Sequence, residues 1–233
     1  MEASKYVTVF LTLFCWAPQA HPQGTFQNLA FESAVLVPIP GDPVGRVQFG
    51  PAFPGWNGYI GGVQQTNALY NLAALDSSAI SIIDTNPSGW TIGVIQGRYS
   101  AVVQAGIGNG LPATDTTLLQ IAKVPSGAET LRFTAYYASD DGLSSLVVSL
   151  GGQSLPLIPL QSESPFTIYG ADIHGLAGQS AELAFTVLAQ VPHHSNNTLF
   201  LDSITFSDLR IPEPSTFVLF AFGSLFFFYL RRR

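Results

Sequence analysis

Between its two ends the chain holds no long segment with the 3.6-residue apolar period of a helix. Short alternating or β-rich runs recur instead, separated by Gly, Pro, Asn and Asp. That pattern confines the middle of the chain to strands. The runs are Phe26–Phe31, Ala79–Ile83, Ile92–Ile95, Tyr99–Ala105, Thr116–Val124, Thr130–Ala138, Leu146–Leu150, Leu155–Leu160, Thr167–Asp172, Ala181–Ala189 and Leu199–Phe206. Pro38 to Pro54 reads as a long loop, and Asp140-Asp141-Gly142 as a hairpin turn. Gly151-Gly152 is expected to pair Leu146–Leu150 with Leu155–Leu160. So many short strands with regular turn signals predict an all-β fold, an antiparallel β-sandwich of the jelly-roll kind, over residues 21–210. No repeat of fixed period points to a propeller or solenoid.

The two ends obey different rules. Tyr6 to Ala17 is apolar apart from Thr8 and Thr12, follows Lys5, and is too short to span a bilayer. Residues 1–20 therefore read as a signal peptide, with Pro18-Gln19-Ala20 as the cleavage site. At the other end, Pro212-Glu213-Pro214 fixes an extended turn. An uncharged run from Phe217 to Leu230 follows, six of its residues being Phe, and Arg231, Arg232 and Arg233 end the sequence. The run has no polar face, so it reads as a transmembrane helix over about 215–230, stopped by arginines that stay on the cytoplasmic side. It is shorter than the roughly 20 residues that cross a bilayer without strain.

The order of these parts resembles the PEP-CTERM sorting signal of Gram-negative bacteria. Pro212-Glu213-Pro214, the apolar run and the three arginines match it part for part, over 211–233. The resemblance implies export, brief residence in the inner membrane, processing by an exosortase near the Pro-Glu-Pro motif, and association with the cell surface or exopolysaccharide. A plain membrane anchor that nothing cleaves is the alternative.

Charge and cysteine usage narrow the partners. The formal net charge is −6. Over residues 21–211 five cations stand against thirteen acids, a balance that repels phosphate backbones and makes nucleic acid a poor partner. Cys15 is the single cysteine and lies in the signal peptide. The mature chain thus offers no thiol nucleophile, disulfide or cysteine metal site.

Phrases within the strands resemble the galactose-binding-like jelly-roll superfamily. Asn28-Leu29-Ala30-Phe31-Glu32 with Pro54-Gly55-Trp56 is similar to its opening, Leu146–Gln153 to its Gly-Gly hairpin, and Phe200-Leu201-Asp202-Ser203-Ile204 to its closing strand. The resemblance implies that Glu32 and Asp202 lie close together. They are then either ligands of a structural Ca2+, which oxygen donors from separate strands suit, or a hydrogen-bonded pair without metal.

Catalytic signals are sparse. Asp140-Asp141 sits on a turn, where neighbouring carboxylates diverge and do not flank a sugar. His193-His194 lies in a polar loop. There is no Gly-x-Ser-x-Gly elbow, no His-Glu-x-x-His and no phosphate loop. The chain is therefore expected not to be an enzyme. For a ligand, Trp56 and Tyr59 with Asn57 could form a shallow wall for a sugar ring, although large aromatics in a sandwich more often fill the core.

Overall fold

The computed structural model describes residues 25–72, 77–87, 92–106, 113–139, 145–189 and 197–211. The expected signal peptide, the expected transmembrane run, the Pro212–Pro214 motif, the terminal arginines, Asp140-Asp141 and His193-His194 lie outside the described residues. Among the described residues no helix is long and apolar enough to cross a membrane.

Among the described residues, fourteen strands form two facing sheets. They are β1 (Val47–Gln48), β2 (Asn57–Ile60), β3 (Val63–Gln64), β4 (Asn67–Tyr70), β5 (Ala79–Ile83), β6 (Ser100–Ala105), β7 (Thr116–Lys123), β8 (Thr130–Ala138), β9 (Leu146–Leu150), β10 (Gln153–Ser154), β11 (Ile158–Glu163), β12 (Phe166–Asp172), β13 (Ser180–Val187) and β14 (Asn197–Ser207). A single helical turn, α1 (Phe49–Ala52), links β1 to β2. One sheet has the order β1-β4-β5-β6-β14-β8-β12-β11 and the other β10-β9-β13-β7-β2-β3. The all-β sandwich expected from the sequence is the fold. Among the described strands, the β4–β5 pairing departs from the antiparallel rule and runs parallel.

Alternation sets the core. In β7 the residues Thr116, Leu118, Gln120 and Ala122 are buried and those between them are not. In β13, Leu183, Phe185 and Val187 point inward. Rings interlock between the sheets: Phe31 against Trp56, Trp56 against Phe185, and Phe185 edge-on to Phe133 at 5.2 Å between centroids. Such contacts add to the area-driven stabilisation of burial. A smaller cluster lies on the outer face of the larger sheet, where Ile92, Ile95 and Tyr136 cover Ile83, Val102 and Phe200.

Three expected elements come out differently. Phe26–Phe31 is not a strand. Asn28 and Phe31 take left-handed backbone angles (φ 50° and 58°), which breaks the pleat and turns the Phe31 ring into the core. Ile92–Ile95 alternates like a strand but serves as a cover, its isoleucines inserted onto the sheet beneath. The Gly151-Gly152 turn pairs β9 with the two-residue β10, not with Leu155–Leu160. The next strand, β11, pairs with β12 in the other sheet.

Candidate functional site

The acids Glu32 and Asp202 reach one turn, Gln96–Tyr99, from opposite sides. Asp202 sits on β14 just before a bulge that Ser203 makes with φ 51°, and its side chain is fully buried. Its Oδ2 accepts Ser100 Oγ–H at 2.7 Å and Gln96 N–H at 3.2 Å, and its Oδ1 accepts Ser203 N–H at 2.6 Å. Ser100 Oγ in turn accepts Ile95 N–H at 2.9 Å. Glu32 Oε1 accepts Arg98 N–H and Tyr99 N–H at 2.9 and 3.3 Å. Gly97 makes this approach possible. It has φ 66°, and a Cβ there would lie 2.2 Å from Glu32 Oε1. Burial pushes the Asp202 carboxyl up to about 6, and the nearby Glu32 charge adds to the rise. The three hydrogen bonds act the other way.

The geometry gives each acid partners of its own on the Gln96–Tyr99 turn. N–H and O–H donors aim at both carboxylates, whereas a calcium needs those lone pairs for itself and further oxygen ligands around it. No group of three His, Cys, Asp or Glu able to hold a metal exists among the described residues. The residues present do not fit Ca2+.

The expected sugar-stacking wall needs correction at Trp56. Its ring is 4 % exposed, wedged between Phe31 and Phe185, and its Nε1–H donates to Asn28 O at 3.1 Å. The indole pins the opening loop to the core and offers no face to a ligand. Asn57 and Tyr59 do share the outward face of β2, because β2 turns Gly58 between them inward. Asn57 Oδ1 accepts Gln64 Nε2–H at 3.0 Å.

Two polar sites had no distinct signal in the sequence. Beside β2 and β4 lies a groove of about 470 Å³, floored by Ile60, Ala68 and Ile80 and rimmed by Arg46, Gln65 and Asn67. Arg46 is held there by Asp42, whose Oδ1 accepts Arg46 Nε–H and Nη2–H at 2.9 and 2.6 Å. That bond to Arg46 holds the Asp42 carboxyl below its ordinary range. The Asp42-x-x-x-Arg46 spacing inside the Pro38–Pro54 loop was the available clue. Where β4 crosses to β5, Asp84 accepts Tyr70 OH at 2.5 Å and Asn71 Nδ2–H at 2.6 Å. The bond to Asp84, followed by burial, pushes the Tyr70 phenol up to about 12. Burial opposes ionisation of Asp84, but the bonds from Tyr70, Asn86 N and Asn71 hold it below the usual range. This cluster ties off the parallel β4–β5 crossover.

At the C-terminal end of β14 the chain does not swing free. Glu129 N–H donates to Ser207 O at 2.8 Å, Thr130 Oγ–H to Leu209 O at 2.5 Å, and Arg210 Nε–H to Glu129 Oε2 at 3.1 Å. Ile211 extends over β12 at Gly170, where an added Cβ would lie 3.2 Å from Ile211 Cδ1 and 2.7 Å from Leu160 Cδ1. Glu129, Asp172, His174, Arg210 and Ile211 together line a cleft of about 190 Å³. Within it Asp172 Oδ1 accepts His174 N–H at 3.0 Å and lies 2.8 Å from His174 Nδ1. These contacts, with the Arg210 charge, hold Asp172 below the ordinary carboxylate range.

Residues 210–233 match the PEP-CTERM protein-sorting motif. This agrees with the tail resemblance and implies export, sorting to the cell envelope or surface, and processing by an exosortase. No curated protein matches the chain. Among solved structures, the chain is similar to the carbohydrate-binding module TmCBM61 in complex with β-1,4-galactotriose. That match has 13% identity and a TM-score of 0.42, covering 79% of this chain and 99% of the module. It is also similar to the K2 adhesin domain of Lys-gingipain, at 17% identity and a TM-score of 0.44, over 76% and 96% of the two chains. A Stig cyclase from Fischerella sp. TAU is a third, at 16% identity and a TM-score of 0.43, over 77% and 93%. All three are distant similarities of fold.

Proposed function

We propose that this chain is an exported surface protein with a structural or adhesive, non-enzymatic role, handed to an exosortase by its tail and then associated with exopolysaccharide. The observation that carries this reading is the sorting motif at 210–233, attached through a short stem to the last strand of the sandwich. Intact-mass measurement of the protein from the producing cell tests it. The expected mass corresponds to a chain lacking the signal peptide and ending near Pro214. A mass that includes Arg233 would sink the processing claim.

A second reading, carbohydrate binding, is favoured by the Arg46–Asn67 groove. Its apolar floor suits the C–H face of a sugar ring. Its amides and guanidinium suit hydroxyls, and Arg46 is already held in place by Asp42. On a glycan array the intact protein is expected to retain neutral or acidic oligosaccharides. Asn67→Ala or Arg46→Ala is expected to weaken retention about tenfold, the effect of roughly 1.4 kcal/mol. Equal retention by the parent and both variants would remove the groove from the reading.

A further inference from the structure

We infer that the sorting signal of this chain is read together with the folded end of the sandwich that holds its first residues, so that the processing enzyme docks on the ectodomain as well as on the tail. The inference rests on the processing reading above. Its starting point is an overlap. The matched motif begins at Arg210, yet Arg210 and Ile211 still belong to the fold. Arg210 is paired with Glu129, Ile211 is seated at Gly170, and the carbonyl just before them is held by Thr130.

A four-residue tether, 208–211, is thereby shortened to almost nothing. Ile211 lines the cleft together with Glu129, Asp172 and His174, so the chain that follows it starts at that rim. Each added flexible residue would lengthen a tether by a few ångströms and dilute the motif near any surface of the domain. Here no such slack exists. An enzyme active site that closes on Pro212–Pro214 has the exposed Asp172 and His174 side chains within its contact range. Among the residues that line the cleft, the carboxylates of Glu129 and Asp172 stand against the guanidinium of Arg210. A partner surface with basic side chains complements these carboxylates.

Two measurements on the full chain test this. In the producing cell, a Gly-Ser-Gly-Ser insertion between Ile211 and Pro212 leaves every motif residue intact but detaches the motif from the rim. The processed fraction, read by intact mass, is expected to fall about tenfold, equivalent to 1.4 kcal/mol of lost docking. Asp172→Asn, on an exposed side chain, is expected to lower it in the same direction, and Glu182→Gln on β13 is expected to leave it unchanged. If the parent is processed and the insertion variant equally so, the inference is overturned while the processing reading stands. If the parent keeps Arg233, the processing reading itself fails. In purified chain in detergent, a docked stem also predicts that Ile211→Ser lowers the Tm of the ectodomain by about 3 °C. An unchanged Tm shows a trailing stem and overturns the inference without reference to any enzyme.

Discussion

Gly58→Val is expected to destabilise the ectodomain by about 3 kcal/mol, the upper end of what overpacking costs in a filled core. Gly58 is the inward position of β2. A Cβ there would lie 2.5 Å from Ile80 Cδ1 and equally close to Cε2 and Cζ of Phe49. Phe49 cannot retreat cheaply, because its ring is stacked on the fully buried Phe53 at 4.9 Å. Real Cβ atoms do not come that close to a neighbour, so the two sheets must part at this edge or β2 must leave the ladder with β7. For a domain of this size the loss corresponds to a Tm about 6–12 °C lower. Thermal unfolding of parent and variant checks it. A Tm within about 2 °C of the parent would show that β2 and the α1 turn repack freely.

The second large effect is a pH dependence of unusual sign for a carboxylate. The folded-state value of Asp202 is raised, from 3.8 to about 6. Between those values the folded chain holds a proton that the unfolded chain has released. Stability from this group is therefore fully present below about pH 4 and is lost as pH rises through about 6. The loss reaches up to about 3 kcal/mol at about 1.4 kcal/mol per tenfold change in the proton equilibrium. The carboxylates of Asp42, Asp84 and Asp172, held low by their partners, act in the opposite sense, but only as pH falls below their ordinary value. They leave the window between pH 4 and 7 to Asp202. The unfolding free energy of the intact protein is thus expected to decrease from pH 4.5 to 7, and Asp202→Asn is expected to flatten that slope. A parent protein whose stability is level or rising across this window would contradict the assignment.

Reading the sequence worked best where one side of a strand meets the core and the other does not. β7 shows this over its whole length, and β8 from Leu131 to Tyr136. It failed where alternation serves another purpose. Leu29 and Phe31 are spaced as in a strand, but Phe31 is the buried point of a loop that two left-handed residues bend around the sandwich, with Phe26 and Leu29 partly buried beside it. A left-handed Phe is rare enough that nothing in the local sequence announces it. Trp56 could not be placed for a related reason. Glycines on either side suit an exposed loop as well as a tight passage into the core, and only the acceptor at Asn28 O decides between them. Glu32 and Asp202 were expected to lie close together, as metal ligands or as a hydrogen-bonded pair. Their real partners are backbone N–H groups of a turn a hundred residues away from Asp202, whose identity depends on how that turn folds. The Arg46 groove escaped notice because its walls come from four separate segments, each unremarkable alone.

The position of β14 has a mechanical consequence. The strand that continues into the tail is not an edge strand. It lies inside the eight-stranded sheet with β6 on one side and β8 on the other. Drag on the domain while its tail is held is therefore drawn along the axis of β14, loading the hydrogen bonds of both ladders in shear together. An edge strand in the same place could be unzipped one bond at a time. The seam where this protein is held is thus one that must slide as a whole before it gives way.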